Sequence, residues 1–376
     1  MLDCELIPVT QDNLDIASKL TVEFDFPRSE NWIRRALFNP YVASCDKSAR
    51  RGYMIKSKDD GYVGMLCYSP MKLYLSDKPL IGYSGLLLGV RKKYGEWLMD
   101  LFKAVQEDEK GHLAFGNTSC SAHATRICRL ARGDKLGPTE CEYSFVSHLG
   151  PASYILAASR KFLATRFQGG LWRLLAPLRI VQYLWGRLFF RSRYTMRREE
   201  TFSHSDFALF WGRYLSHNRG LVSSREPEIL DHLFSDALKV GKLVLLTARD
   251  DMGIAGYVLL RKYAIFGLDN LVKFKIIDAI AVEDDVVCLR DLVRAAKIYA
   301  MGHCGERVEY IGGNPRLANW LECELRHKKA FGFNTTTYFY AGEDEALIYA
   351  LRNRNGWFWG PFDGERCLGH GGYIDV

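Results

Sequence analysis

The sequence predicts an α/β (α+β) protein: two halves, each with a mixed, mostly antiparallel sheet flanked by helices, joined by a helical insert. Three observations carry this. A chain of 376 residues exceeds one ordinary core and suits two domains of about 150 residues. Short strand-like runs and 3.6-residue apolar stripes follow one another in the same order twice along the chain. Between the two series, residues 149–238 read as helices with no convincing strand. The expected division is therefore 1–148, 149–238 and 239–376.

In the first half, helices are expected around Asn13–Phe24 and Glu30–Leu37, then strands at Gly61–Tyr68, Lys72–Leu75 and Leu80–Val90. Trp97, Leu98, Leu101, Phe102 and Val105 form a helical stripe, His112–Phe115 returns to strand, and a helix near Ser121–Ala131 closes the series. The second half repeats the order with strands at Leu243–Thr247, Ile254–Tyr263 and Lys273–Val282, then a helical stripe through Leu289, Leu292, Val293, Ala296 and Ala300. A strand at Val308–Ile311, a helix around Leu317–Arg326 and a strand at Asn334–Tyr340 complete it.

Composition bounds the function. Hydrophobic residues make up 48% and charged residues 25%, a globular balance, and no run reaches the ~18 apolar residues of a membrane span. The opening Met-Leu-Asp-Cys-Glu carries acids where an export signal carries bases, so a cytoplasmic protein is expected. The ten cysteines, among them Cys4, Cys45, Cys67 and Cys141, lack the dense spacing of a disulfide framework and read as reduced thiols. No Cys-x-x-Cys pair occurs, and His303-Cys304 places neighbours on different faces, so no metal site is expected. A net charge of +7 suits anionic small ligands or surfaces rather than DNA.

The chemistry concentrates at Gly85-Leu-Leu-Leu-Gly-Val-Arg-Lys-Lys-Tyr-Gly-Glu-Trp-Leu98, a strand running through a basic, Gly-containing turn into a helix. This stretch resembles the cofactor motif of the GNAT superfamily of acyl-CoA-dependent N-acyltransferases. The resemblance implies two tandem GNAT-like domains, an acetyl-CoA or longer acyl-CoA co-substrate and a cofactor site at Leu86, Leu88, Val90, Arg91, Lys92, Lys93, Tyr94, Gly95, Glu96, Trp97 and Asn117. Open strand-edge groups would pair with pantetheine amides, and first-turn N–H groups between Tyr94 and Trp97 would grip the diphosphate. The family spaces Arg and Gly by two residues, whereas three separate Arg91 from Gly95 here, and Glu96 and Trp97 follow. An exposed basic turn between core strand and core helix is the other reading.

Ala114-Phe-Gly-Asn-Thr-Ser119 resembles the next family element, where an Asn follows the strand and a helix borders the acceptor. The tyrosine that the family often uses there as an acid is missing from Ser121–Arg132; Ser121, His123 and Cys128 are candidate substitutes, and Cys120 a candidate nucleophile. In the second half, Ala281-Val-Glu-Asp-Asp-Val-Val-Cys-Leu289 holds three consecutive carboxylates and no glycine. Those charges suit a helix N-terminus and repel a diphosphate, so this half is expected to scaffold or bind the acceptor. Tyr310-Ile-Gly-Gly-Asn-Pro315 is a turn signal in any fold, and Trp357–Glu365 reads equally as acceptor surface or as a flap.

Leu171–Arg193 is amphipathic: Arg173, Arg179, Arg187 and Arg191 fall within roughly 120° of a wheel, with Leu174, Leu178, Val181, Trp185, Leu188 and Phe189 opposite. Pro177 is placed to start the second of two helices. The segment reads as an interfacial helix in peripheral contact with a membrane, as an interdomain helix with solvated arginines, or as an arginine-lined channel. The functional expectation is an acyl-CoA-dependent N-acyltransferase acting on a small-molecule amine, such as an amino sugar or surface-polysaccharide precursor, by direct attack on the thioester. Two rivals stay open: an aminoacyl transferase of the kind that builds peptidoglycan from charged transfer RNA, the one reading that implies RNA, and a non-catalytic scaffold that keeps the fold.

Overall fold

The structure, a computed structural model, describes residues 3–25, 27–43, 49–108, 113–118, 134–135, 143–159, 162, 165–202, 205–265, 268–312, 321, 324–325, 327–330, 336–340, 344–352 and 357–358. In chain order it opens with β1 (Cys4–Pro8), α1 (Leu14–Glu23), α2 (Glu30–Leu37), β2 (Gly52–Ser57), β3 (Gly61–Leu75), β4 (Lys78–Val90), α3 (Leu98–Asp108), β5 (Leu113–Thr118), β6 (Asp134–Lys135) and β7 (Tyr143–His148). Next come α4 (Pro151–Ser159), α5 (Thr165–Leu174), α6 (Ala176–Phe189), β8 (Thr195–Glu199), α7 (Ser205–His217), β9 (Leu221–Ser223) and α8 (Pro227–Lys239). The chain ends with β10 (Leu243–Asp250), β11 (Gly253–Ile265), β12 (Leu268–Ala281), α9 (Val286–Gly302), β13 (Gly305–Gly312), β14 (His327–Ala330), β15 (Thr336–Tyr340), α10 (Glu345–Arg352) and β16 (Trp357–Phe358).

The strands form two sheets. The first runs β1-β2-β3-β4-β5-β15-β6, with β9 beside β3 and β16 beside β9; the second runs β14-β7-β13-β12-β11-β10-β8. Period-two alternation sorts the second sheet's side chains. Val244, Leu246, Val258, Leu260, Phe274 and Ile276 face α9, whereas Leu243, Leu245, Tyr257, Leu259 and Ile277 face the aromatics of α7 and α8. In the first sheet α1 and α2 cover the face of Met54, Met65, Cys67 and Leu86, and α3 covers that of Tyr53, Ile55, Leu66 and Tyr68. The Ser29 hydroxyl starts α2 by accepting the Trp32 N–H at 3.1 Å, with Trp32, Ile33, Ala36 and Leu37 buried on one face.

The structure departs from the sequence reading in four places. β3 is one strand rather than two, continuing through Pro70; there it is paired with β4 alone, since β2 ends its ladder at Cys67 and β9 begins at Leu73. A residue without N–H is tolerated where one edge is free. The stretch 149–238 is not all helical. It holds β8, an exposed, charged edge strand whose pairing with β10 supplies what its own pattern lacks, and the three-residue β9. Asn334–Tyr340, expected to end the second sheet, instead carries β15, which pairs with β5 in the first. In return β7, unforeseen in sequence, pairs with β13 in the second. The helices expected at Ser121–Ala131 and around Leu317–Arg326 lie largely outside the described residues. The break at Pro177 is as expected: α5 ends at Leu174 and the proline occupies the first turn of α6.

Candidate functional site

β4 and β5 are parallel neighbours for only three residue pairs, Gly82–Leu113, Tyr83–Ala114 and Ser84–Phe115. Beyond these the strands part: β5 continues against β15 through Asn117 and Thr118, while among the described residues no strand pairs with the outer edge of β4 from Gly85 to Val90. The divergence coincides with a bulge. Leu86 lies opposite Cys67 and Gly89 opposite Met65, so Leu87 and Leu88 together face the single residue Leu66. Leu87 takes φ +56°, a left-handed backbone that is strained for a buried leucine. The bulge leaves Leu88 40% exposed while Leu86 and Leu87 stay in the core. A splayed edge of this kind offers free backbone N–H and C=O groups to an extended amide-bearing ligand.

At the end of β4 a 3-10 turn, Lys92–Trp97, leads directly into α3. The Tyr94 N–H closes that turn on the Arg91 carbonyl at 2.8 Å, so it is spent internally. The Lys92 and Lys93 N–H groups have no acceptor among the described residues, and Arg91 supplies no side-chain cap. The open amides thus lie just before the stretch from Tyr94 to Trp97 that the sequence pattern favours. The Tyr94 side chain is in the core, 1% exposed, its hydroxyl bonded to the Ser57 hydroxyl and the Asp60 carboxylate. Trp97 is half-buried against the same cluster, and Gly95 and Glu96 are exposed.

The three cations of the turn are not equivalent. Arg91 pairs with Glu23 and Lys93 with Asp60, whereas Lys92 forms no ion pair among the described residues. Arg91 holds the Glu23 carboxyl below its ordinary range; the Tyr94 hydroxyl and then Lys93 do the same for Asp60. Both pairs are open to water, which screens them, so an anionic ligand can exchange into them.

No family model and no curated protein sequence matches the chain. Solved structures do. N-myristoyltransferase of Saccharomyces cerevisiae, with bound myristoyl-CoA, superposes with a TM-score of 0.55 at 13% identity, covering 95% of this chain and 86% of that one. A GCN5-related N-acetyltransferase from Kribbella flavida gives 0.55 at 14% identity, over 93% and 74% of the two chains. A probable N-acyltransferase from Enterococcus faecalis gives 0.56 at 10%, over 92% and 74%. The chain has the GNAT-type N-acyltransferase fold.

The GNAT-like junction of the second sheet is built differently. β12 and β13 also pair in parallel briefly, from Val272–Gly305 to Lys275–Glu309, and then part next to a bulge at Ile277. Here the helix N-terminus is filled from within: the Val287 and Cys288 N–H groups donate to Asp285 Oδ1 at 2.8 and 3.2 Å, and Tyr194 and Arg193 donate to its other oxygen. Burial pushes the Asp285 carboxyl up, but these donors outweigh it and leave it below the ordinary value. Its neighbours Glu283 and Asp284 both have positive φ. A side-chain carboxylate thus stands where a diphosphate would need the same N–H groups.

Of the sequence candidates, Leu86, Leu88, Val90 and the Arg91–Trp97 turn are brought together along one strand end. Asn117 lies on β5 opposite Thr337. Ser121, His123, Cys128 and Cys120 lie outside the described residues. The described cysteines are free thiols, and burial drives those of Cys67 and Cys288 up to about 12, which keeps them protonated and unreactive near neutrality. The bulge at Leu87 and the open amides of Lys92 and Lys93 escaped the sequence reading: a Leu-Leu-Leu run carries no local signal for a left-handed residue.

Proposed function

We propose that the chain transfers an acyl group from acyl-CoA to an amine acceptor, with the pantetheine arm along Gly85–Val90 and the diphosphate at the N–H groups of Lys92 and Lys93. The observation that carries this reading is the parting of β4 from β5 at the Leu87 bulge, directly ahead of a basic helix start. There, among the described residues, no strand pairs with the outer edge of β4, no acceptor takes the first amides, and Lys92 forms no ion pair. The second junction, closed by Asp285, supports a single donor site in the segment 1–148 with the rest of the chain shaping the acceptor side. The acceptor class proposed is a small amine such as an amino sugar or a surface-polysaccharide precursor.

In this reading the neutral amine attacks the thioester carbonyl, N–H groups at the strand end stabilise the developing oxyanion, and a base takes the ammonium proton. The thiol of CoA leaves as the amide forms. Calorimetry on the wild type and on an Arg91→Ala/Lys92→Ala/Lys93→Ala variant, with acyl-CoAs from acetyl to myristoyl, tests the assignment; the range follows from the acetyl- and myristoyltransferases that share the fold. Binding by the wild type and a loss on the order of tenfold or more in the variant are expected, since the variant removes every cation of the turn that could meet the diphosphate. No binding by either protein removes the acyl-CoA reading. Salt-dependent binding of transfer RNA would then favour an aminoacyl transferase, and binding of neither donor a scaffold.

A further inference from the structure

Helix α6 wears its polarity inside out. Its protein-facing side carries Gln182, Tyr183 and Gly186: Gln182 lies against Gly150, the Tyr183 ring against Gly302, and the bare backbone of Gly186 against Met301 and Ile298 of α9. Its outward side carries Val181, Leu184, Trp185 and Leu188, exposed by 59%, 55%, 66% and 78%, and no residue of the helix is buried. On a wheel of about 100° per residue each set spans roughly 100°, on opposite sides. A helix at the surface of a water-soluble domain puts its apolar stripe inward. The Trp185 ring packs on Phe189 at a centroid distance of 4.5 Å, so the apolar stripe presents a formed surface rather than scattered side chains. Exposed Leu174 at the end of α5 extends it.

The charge around this stripe has one sign. No Asp or Glu occurs between Glu142 and Glu199, while arginines recur at 173, 179, 187, 191 and 193. Arg179 is stacked on Trp172 and Arg193 is paired with Asp285, but Arg173, Arg187 and Arg191 are exposed and form no ion pair among the described residues. An apolar stripe bordered by uncompensated guanidinium groups matches a surface that is hydrocarbon within and anionic at its rim. At 14 residues α6 is about 21 Å long, and among the described residues no helix is long and apolar enough to cross a membrane. We propose that α6 lies flat on an anionic bilayer, Val181, Leu184, Trp185 and Leu188 entering the acyl boundary and Arg173, Arg187 and Arg191 meeting the headgroups.

Flotation of the full chain with vesicles tests this, comparing phosphatidylcholine alone with about three parts phosphatidylcholine to one of phosphatidylglycerol. The chain should float with the anionic vesicles only, and less as salt rises. Replacing Arg173, Arg187 and Arg191 by Gln should weaken partitioning by on the order of fivefold per residue. Trp185→Glu/Leu188→Glu should reduce it at least about tenfold, with an unchanged thermal melt because both side chains are exposed. Brominated lipid should quench wild-type tryptophan fluorescence, and this quenching should fall in Trp185→Phe while flotation persists. Absent flotation, or equal flotation with neutral vesicles, overturns the proposal. So does a dimer in sedimentation that Trp185→Glu/Leu188→Glu dissociates without any vesicle binding by the wild type, which would give the stripe to a second copy of the chain.

Discussion

Asp60 ties the basic turn to the sheet, accepting from the Tyr94 hydroxyl and from Lys93 Nζ at 3.0 Å, while Glu23 on α1 holds Arg91. Both carboxyls lie below their ordinary values of 3.8 and 4.5. A group with a lowered folded value adds stability that is fully present above the ordinary value and lost as the pH falls through the folded one. The turn should therefore hold at neutral pH and loosen in acid, from about pH 5 downward. Urea midpoints of the wild type should fall more steeply over that range than those of Glu23→Gln/Asp60→Asn, and the two curves should run parallel above about pH 6. Parallel curves throughout would mean that neither carboxylate is held by its partners. The sequence displayed the three cations of this turn, but not the two acids that pair with Arg91 and Lys93: Glu23 is 68 residues from Arg91 and Asp60 33 from Lys93 along the chain, and only the fold brings them there.

At the scale of elements, legibility followed locality. α2 and α9 were readable because the apolar stripe of each is written within a dozen or so residues. β7 and β15 were not assignable, since each completes a sheet whose other strands are distant in sequence, and β8 is a strand only by virtue of β10. Glycines divide in the same way. Gly52, at the start of β2, has φ +127°, and a methyl group there would sit 2.6 Å from Cys67 Cα. Gly52→Ala combines a forbidden backbone region with a clash against backbone, and should cost about 2–6 kcal/mol in chemical denaturation. Gly95, which the family resemblance made prominent, has no positive φ and nothing within 4 Å of an added methyl. Gly95→Ala should leave the fold unmoved to within about 0.5 kcal/mol, and any loss of acyl-CoA binding in that variant would then belong to the ligand contact itself. A clear drop in stability for Gly95→Ala, or none for Gly52→Ala, would contradict the local geometry of these two positions.

At the scale of the whole molecule, two adjacent residues join the sheets. Just after β9, which lies against β3 in the first sheet, Glu226 accepts from Lys72 at 2.7 Å and from the Tyr74 hydroxyl, both on β3. Arg225, fully buried, turns the other way and donates to Asp278 on β12 through Nε at 3.2 Å and Nη2 at 3.3 Å; the Tyr257 hydroxyl completes the site at 2.6 Å from the same carboxylate. Burial and the Asp278 charge drive the Tyr257 hydroxyl well up, so it donates rather than ionises. Removing one member of a buried ion pair strands the other, at a cost of about 3–5 kcal/mol, whereas replacing both by apolar groups can be nearly neutral. Arg225→Met and Asp278→Leu should therefore each destabilise strongly, and the double variant by clearly less than their sum, with a coupling of about 0.5–3 kcal/mol. Additive losses in urea denaturation would show that the pair does not act as a unit across the two sheets. Because β7 and β15 also cross between the sheets, the wild type should unfold in one transition by both circular dichroism and tryptophan fluorescence, and the Arg225→Met variant, which leaves those crossings intact, should lower the midpoint without splitting it.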